Sequence, residues 1–258
     1  MGEERSHDEQ VVGQFTLQAH SYAQLTEQQS RLRPATFAFP VQPDDEVLDV
    51  ACGAGAMALK LAPRVRRVTG IDLTEAMLVE AQAAAARQGA TNVSWRAGDV
   101  GELPFAPQTF SLVVSQAAFH HFDRPRQVLA EMARVCRAGG RVVVVDVAPD
   151  PGKAAAYDAL ERARDPSHVH AHPLPELQAL AAGLDLRLLD AVRQMTPPLP
   201  YDAVLATSHP EHCTIEQIRA QVSADARAGT DRFGLAAREV DGRLLVAYPM
   251  GTTVWIRT

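Results

Sequence analysis

Short apolar runs that alternate with helix-forming segments dominate the first 150 residues of this chain and restrict its possible folds more than any other feature. The runs EVLDVAC (46–52), RVTGID (67–72), NVSWRAG (92–98), FSLVVSQ (110–116) and RVVVVDV (141–147) have strand length. Between them, Ala56 to Leu61, Glu75 to Gln88 and Arg126 to Cys136 each carry an apolar stripe at helical spacing. That order predicts a parallel sheet covered by helices on both faces. RVVVVDV shows none of the period-two patterning of a half-exposed strand, which points the same way. Thr74 is placed for its side chain to cap the helix beginning at Glu75.

Of the 258 residues, 47% are apolar, enough for one substantial core. The formal charge of −6 gives no general affinity for nucleic-acid phosphate, so no nucleic-acid partner is expected. The opening MGEERSHDEQ is too polar for a secretory signal, and no apolar run approaches the roughly 20 residues of a membrane span. Cys52, Cys136 and Cys213 are odd in number and scattered, which suits free thiols in a reducing cytoplasm. A soluble, cytoplasmic protein is expected, either monomer or homodimer.

Beyond Pro149 the alternation weakens. A helix over KAAAYDALERA and a loop over RDPSHVHAHPLP are expected to lie across the mouth of the sheet. LDLRLLDAV and RLLVAYPMGTTVWIRT read as two halves of an antiparallel pair, and TIEQIRAQVSADARAG as a helix opened by a Thr214–Gln217 capping box. The expected organisation is a single domain over 1–258. It has an N-terminal helical lid (1–40), a cofactor-binding core (42–147), an insertion over the acceptor pocket (150–175) and a C-terminal part completing the sheet (176–258).

Gly53 and Gly55 fall where the first strand hands over to the first helix, the crevice in which open parallel sheets bind ligands. The G-x-G-x-x-G pattern of a dinucleotide site is incomplete, since Met57 and Ala58 follow. Asp72 ends the second strand, where a carboxylate can accept bonds from both hydroxyls of a ribose. Asp99 closes the third and can meet an adenine amino group. Two carboxylates suit a cofactor that carries its own positive charge better than a pyrophosphate.

VLDVACGAG, VTGIDLTEAML, AGDVGELPFAPQTFSLVVSQAAFHHF and VLAEMARVCRAGGRVVVVD together resemble the class I S-adenosylmethionine-dependent methyltransferases. The small-molecule branch containing the ubiquinone and menaquinone biosynthesis C-methyltransferases is the most similar. The resemblance runs from Gln42 to Val147 and more loosely onward. It implies an α/β, Rossmann-like fold: a seven-stranded, mostly parallel sheet with an antiparallel C-terminal strand, helices on both faces, and a lid or insertion over the active site. It further implies S-adenosyl-L-methionine as cofactor. Asp49 would order the glycine turn and approach the methionyl ammonium, with Ala51, Gly53 and Gly55 passing beneath the sulfonium. Ala51 stands where the family commonly has glycine. Asp72 would hold the ribose, Leu73 and Met77 lie near the adenosine, Asp99 and Val100 contact adenine, and Ser115 and Gln116 sit near the methionine moiety. VGQFTLQAHSYAQ resembles the family's lead-in, making Phe15, His20 and Tyr22 lid candidates.

The bland alternatives are a plain strand-to-helix turn for the glycines, a helix cap for Asp72 and a local turn for Asp99. His120 and His121 follow the fourth strand, and at least one ring should face the crevice. His120 is the candidate base or acceptor contact, with His121 a substrate contact or a packing residue. Phe119 and His170 are further candidates for the acceptor pocket. His168, His170 and His172 alternate, so an extended segment would put the three rings on one side, but no metal is expected. The reaction implied is in-line methyl transfer to a small, moderately hydrophobic acceptor. Other chemistry on an adenosylmethionine-like ligand, or a non-catalytic binding role beside a partner protein, are the alternatives.

Overall fold

The computed structural model describes residues 6–32 and 39–258, so residues 1–5 and 33–38 of the expected lid lie outside the described residues. The strands are β1 (Glu46–Val50), β2 (Arg67–Asp72), β3 (Val93–Ala97), β4 (Phe110–Gln116), β5 (Cys136–Val147), β6 (Leu186–Met195), β7 (Leu199–Pro200), β8 (Arg238–Val240), β9 (Arg243–Val246) and β10 (Pro249–Arg257). The helices are α1 (His7–Leu32), α2 (Ala56–Leu61), α3 (Glu75–Gln88), α4 (Pro125–Val135), α5 (Ala154–Arg164), α6 (Leu174–Ala179), α7 (Tyr201–Leu205) and α8 (Ile215–Ala228).

Seven strands form one sheet in the order β3-β2-β1-β4-β5-β10-β6. Strands β1 to β5 run parallel, and β10 inserts antiparallel between β5 and β6. This is the α/β sheet expected from the sequence.

Both faces of the sheet's centre are buried, whereas the edge strands β3 and β6 are largely exposed. On one face Val47, Leu112, Val114, Val143 and Val254 pack on Met57, Ala58 and Leu61 of α2. On the other, Leu48, Val113, Val142, Val144 and Trp255 pack on Leu129 and Met132 of α4 and Leu177 of α6. Successive valines of β5 thus serve opposite cores, which is why RVVVVDV lacks alternation. Each fully buried valine contributes about 1.5–3 kcal/mol of hydrophobic stabilisation.

The C-terminal third departs from the simple reading. RLLVAYPMGTTVWIRT is two strands: β9 joins β7 and β8 in a separate three-stranded sheet, and only β10 enters the large one. Pro249 has no amide to continue a ladder, and Tyr248 instead bonds Thr196, its carbonyl accepting the Thr196 amide and its own amide donating to the Thr196 hydroxyl. The small sheet shares a second core with α5, α7 and α8, built on Tyr157, Leu160, Tyr201, Ile218, Val222 and Leu244. The Thr214–Gln217 capping box of α8 is present. Among the described residues no helix is long and apolar enough to cross a membrane. All three cysteines are free.

Strand order reverses between β1 and β4, opening a crevice at their carboxyl ends.

Candidate active site

The chain leaves β1 through a tight turn in which Ala51 (φ 53°), Gly53 (φ 51°) and Gly55 (φ 79°) all adopt left-handed backbone. A Cβ on Gly55 would stand 2.5 Å from the Trp95 ring, so only glycine fits there. A Cβ on Gly53 would meet nothing within 4 Å, so the backbone of this residue faces open space. The turn is tied down by two carboxyls. Asp49 Oδ2 accepts the Ala58 amide (2.9 Å), while Asp72 accepts the Gly53 amide through Oδ2 (2.7 Å) and the Thr74 amide through Oδ1 (2.9 Å). Thr74 is the N-cap of α3, but its side chain makes no cap bond, and the Met77 amide donates to the Thr74 carbonyl instead (3.0 Å).

Both carboxyls are buried, Asp49 at 1% and Asp72 at 9% exposure. Burial pushes Asp49 up to about 8 against the pull of the Ala58 amide, and pushes Asp72 up as well. Their bonds come from backbone amides and, among the described residues, from no cationic side chain. The sulfonium and ammonium groups of S-adenosylmethionine would suit these two carboxyls. Burial also raises the Cys52 thiol well above its ordinary value, leaving an inert packing group in the turn.

A cavity of about 160 Å³ opens over this turn, lined by Asp49, Ala51, Gly53, Asp72, Leu73 and Met77. Asp99, Val100 and Gln116 reach the same cavity, as do Phe15 and Tyr22 from α1. Asp99 also closes its own turn by accepting the Gly101 amide (2.7 Å). Gly55 lies outside the lining and shapes the turn from beneath.

Ser115, His20, Phe119 and His170 fall elsewhere. Ser115 is fully buried and lines no cavity of the crevice, since alternation along β4 sends it and Gln116 to opposite faces. His20 points outward to Glu80 (3.0 Å), because it sits about 140° around the helix from Phe15, whereas Tyr22 returns to within about 20°. Phe119 is a core residue at 1% exposure, stacked edge-on against Phe122 at 5.1 Å.

A second cavity, about 490 Å³, adjoins the first. Phe15, Tyr22, Gln116 and His121 line both. His120 faces only the larger one. Its Nδ1 pairs with Asp146 Oδ1 at 2.6 Å, which leaves Nε2 as the ring's second functional atom. Asp146, 1% exposed, also accepts the amides of Ala118 (2.8 Å), Phe119 (2.7 Å) and Val147 (2.7 Å), fixing the 3₁₀ turn that carries both histidines. Burial opposes the charged imidazole, but Asp146 outweighs it and holds His120 above the ordinary histidine value. His121 is driven the other way, to about 3, by burial and its neighbour His120. The tight turn brings these adjacent rings within 4.2 Å.

His170 lines neither cavity. It is held between Asp158 (2.7 Å to Nδ1) and Glu176 (2.9 Å to Nε2), while Asp158 also takes His168 Nε2 at 2.8 Å. The segment acts through its backbone: the amides of Val169 (2.9 Å) and His170 (3.1 Å) both donate to the His120 carbonyl. Asp146 is the site residue that sequence reasoning missed. A lone carboxylate inside RVVVVDV was its signal, because a buried charge needs a partner.

A family model for the methyltransferase domain matches residues 47–140. An uncharacterized methyltransferase of Bacillus subtilis, YcgJ, is 36% identical over 62% of this chain and 64% of its own length. The ubiquinone/menaquinone biosynthesis C-methyltransferase UbiE of Roseobacter denitrificans is 37% identical over 44% of this chain and 47% of its own. The matches thus span about half to two thirds of these relatives. The crystal structure of YcgJ superposes with a TM-score of 0.72 at 26% identity, covering 91% of this chain and 98% of that one. A geranyl diphosphate methyltransferase solved with GPP and sinefungin shares the fold, with a TM-score of 0.60 at 21% identity over 90% of this chain and 78% of that one. With its glycine turn, its paired carboxyls and the reversed β10 strand, the chain carries over residues 47–140 a segment that matches the methyltransferase domain, on a fold it shares with YcgJ.

Proposed function

We propose that this protein transfers a methyl group from S-adenosylmethionine to a small, moderately hydrophobic acceptor and releases S-adenosylhomocysteine. The observation that carries the reading is the contact between two chambers: a carboxyl-lined cavity at the glycine turn shares Gln116 and His121 with a larger one that holds the His120–Asp146 pair.

Bound S-adenosylmethionine supplies a methyl carbon on a good leaving group. The chain's tasks are to align the acceptor, exclude water and manage a proton. Asp72 receives the ribose hydroxyls and Asp49 the ammonium, with Leu73, Met77, Asp99 and Val100 around the adenosine. Phe15 and Tyr22 of α1 keep water from both chambers. Asp146 holds the His120 proton at Nδ1, so Nε2 takes the proton of an acceptor hydroxyl or acidic carbon. His121, neutral at pH 7, adds an uncharged wall between donor and acceptor. A small-molecule acceptor and a reducing, cytoplasmic setting for the three free thiols complete the reading.

Calorimetric titration of the ligand-free protein with S-adenosylmethionine and S-adenosylhomocysteine, with NAD as control, tests it. Saturable adenosyl binding, weakened at least about tenfold (about 1.4 kcal/mol) by Asp72→Ala in folded protein, is the expected result. NAD binding in place of adenosyl binding would overturn the reading.

A further inference from the structure

The wall of the larger cavity beside His120 is formed by the end of α5 and carries Glu161, Arg164 and Asp165. These groups are not equally available. Arg164 gives Nε (3.1 Å) and Nη2 (2.6 Å) to the same oxygen of Glu161, and Nη1 to Ser208 Oγ (3.2 Å). Its guanidinium is therefore committed to the protein, and a charged acceptor would have to break that pair. Asp165, 3% exposed, spends Oδ1 on the amide (3.0 Å) and hydroxyl (2.6 Å) of Ser167. Among the described residues its Oδ2 has only the Gln18 amide at 3.5 Å, a long contact that leaves most of its accepting capacity unused. Burial works against its charge, yet the Arg164 guanidinium and the Ser167 bonds draw the carboxyl below its ordinary value.

This end of the cavity thus offers two carboxylates and one occupied guanidinium. The other lysine or arginine of the lining, Lys60, belongs to α2 rather than to α5. Away from the charges Val147, Leu199, Val204 and Met250 supply apolar surface, interspersed with Gln194, Thr196, Thr207 and Tyr248. An anionic head group beside His120 would face the net negative charge of Glu161, Arg164 and Asp165, whereas a neutral donor would satisfy Asp165 Oδ2.

From this we infer that the acceptor presents an uncharged hydrogen-bond donor, a hydroxyl or N–H group, to His120 and Asp165, with an apolar body along β5 and α7, and that Asp165 sets this preference. The inference rests on the methyltransferase reading for the word acceptor, but the selectivity of the cavity is measurable by itself.

The test uses the full chain, first titrated with S-adenosylhomocysteine and then, in its presence, with 2-naphthol, 2-naphthoate and 2-naphthyl phosphate. We expect 2-naphthol to bind at least tenfold tighter than either anion. In Asp165→Asn, provided S-adenosylhomocysteine affinity is unchanged, the gap should shrink to within threefold. Equal or tighter binding of an anion, or no binding of any of the three to protein that binds S-adenosylhomocysteine, overturns the inference. The wild-type comparison decides even where the variant fails to fold. Loss of S-adenosylhomocysteine binding with the naphthol preference intact would instead refute the methyltransferase reading and leave the cavity's selectivity standing.

Discussion

Lowering the pH should weaken cofactor binding steeply, and the effect should trace to Asp49. In the ligand-free protein burial holds this carboxyl at about 8, so at pH 7 it is about 90% protonated. A ligand ammonium beside it stabilises the carboxylate, so binding must release that proton. With one such group, the apparent affinity scales with the ionised fraction, about 1% at pH 6 and 50% at pH 8, a gain of about fifty-fold. Calorimetry with S-adenosylhomocysteine in buffers of different ionisation enthalpy reads the released protons directly, and about 0.9 per site is expected from Asp49 at pH 7. Asp49→Asn should remove this share of both the release and the slope. The same shift has a sign for folding. A carboxyl whose folded value lies above its unfolded one of 3.8 costs stability as pH rises between the two. The ligand-free protein should therefore lose about 1.4 kcal/mol per pH unit from this group between about pH 4 and 8, and Asp49→Asn should flatten the trend. Wild-type affinity that changes less than threefold between pH 6 and 8, in protein folded throughout, would refute the reasoning.

Asp146→Asn should reduce kcat by about 10²–10⁴-fold while sparing S-adenosylhomocysteine affinity. Because Asp146 is what raises His120, the rise of kcat/KM with pH should sit above the ordinary histidine value in the wild type and move to lower pH in the variant, as a pH–rate profile will show. Gly55→Ala forces a methyl onto Trp95 in left-handed backbone and should cost about 2–4 kcal/mol, read by denaturant unfolding. Thr214→Ala removes the α8 capping box and should cost about 1 kcal/mol without touching cofactor affinity.

Much of the carboxyl-lined cavity was legible because periodicity and turn chemistry act locally. RVVVVDV could only be a strand buried on both faces, and Gly53, Gly55 and Asp72 sit at strand ends where position alone dictates proximity to the crevice. Legibility failed where facing decides. Ser115 and Gln116 are neighbours in sequence, yet only the second reaches a cavity, and His20 lies too far around the helix from Phe15. Phe119 looked like pocket lining and is core, since the 3₁₀ turn rolls it inward. The acceptor side is assembled by contacts between residues far apart in the chain. Asp146 meets His120 across 26 positions, and Gln18 meets Asp165 across 147, and no local pattern encodes either. The small sheet was hidden for a related reason, because β9 and β10 read as one strand until Pro249 interrupts them.

The roofing of both chambers by α1 has a kinetic consequence. Phe15 and Tyr22 each belong to the two cavities at once, so any swing of this helix that admits a new acceptor also uncovers the nucleoside. Its fastenings among the described residues include His7 to the His121 carbonyl, Gln18 to Asp165, His20 to Glu80, Glu27 to Arg87, and a cluster of Phe15, Ala19, Tyr22 and Ala23 on Met77 and Ala54. Spent nucleoside and methylated product would then leave through one gate, and the two half-cycles of exchange become a single event whose frequency bounds turnover.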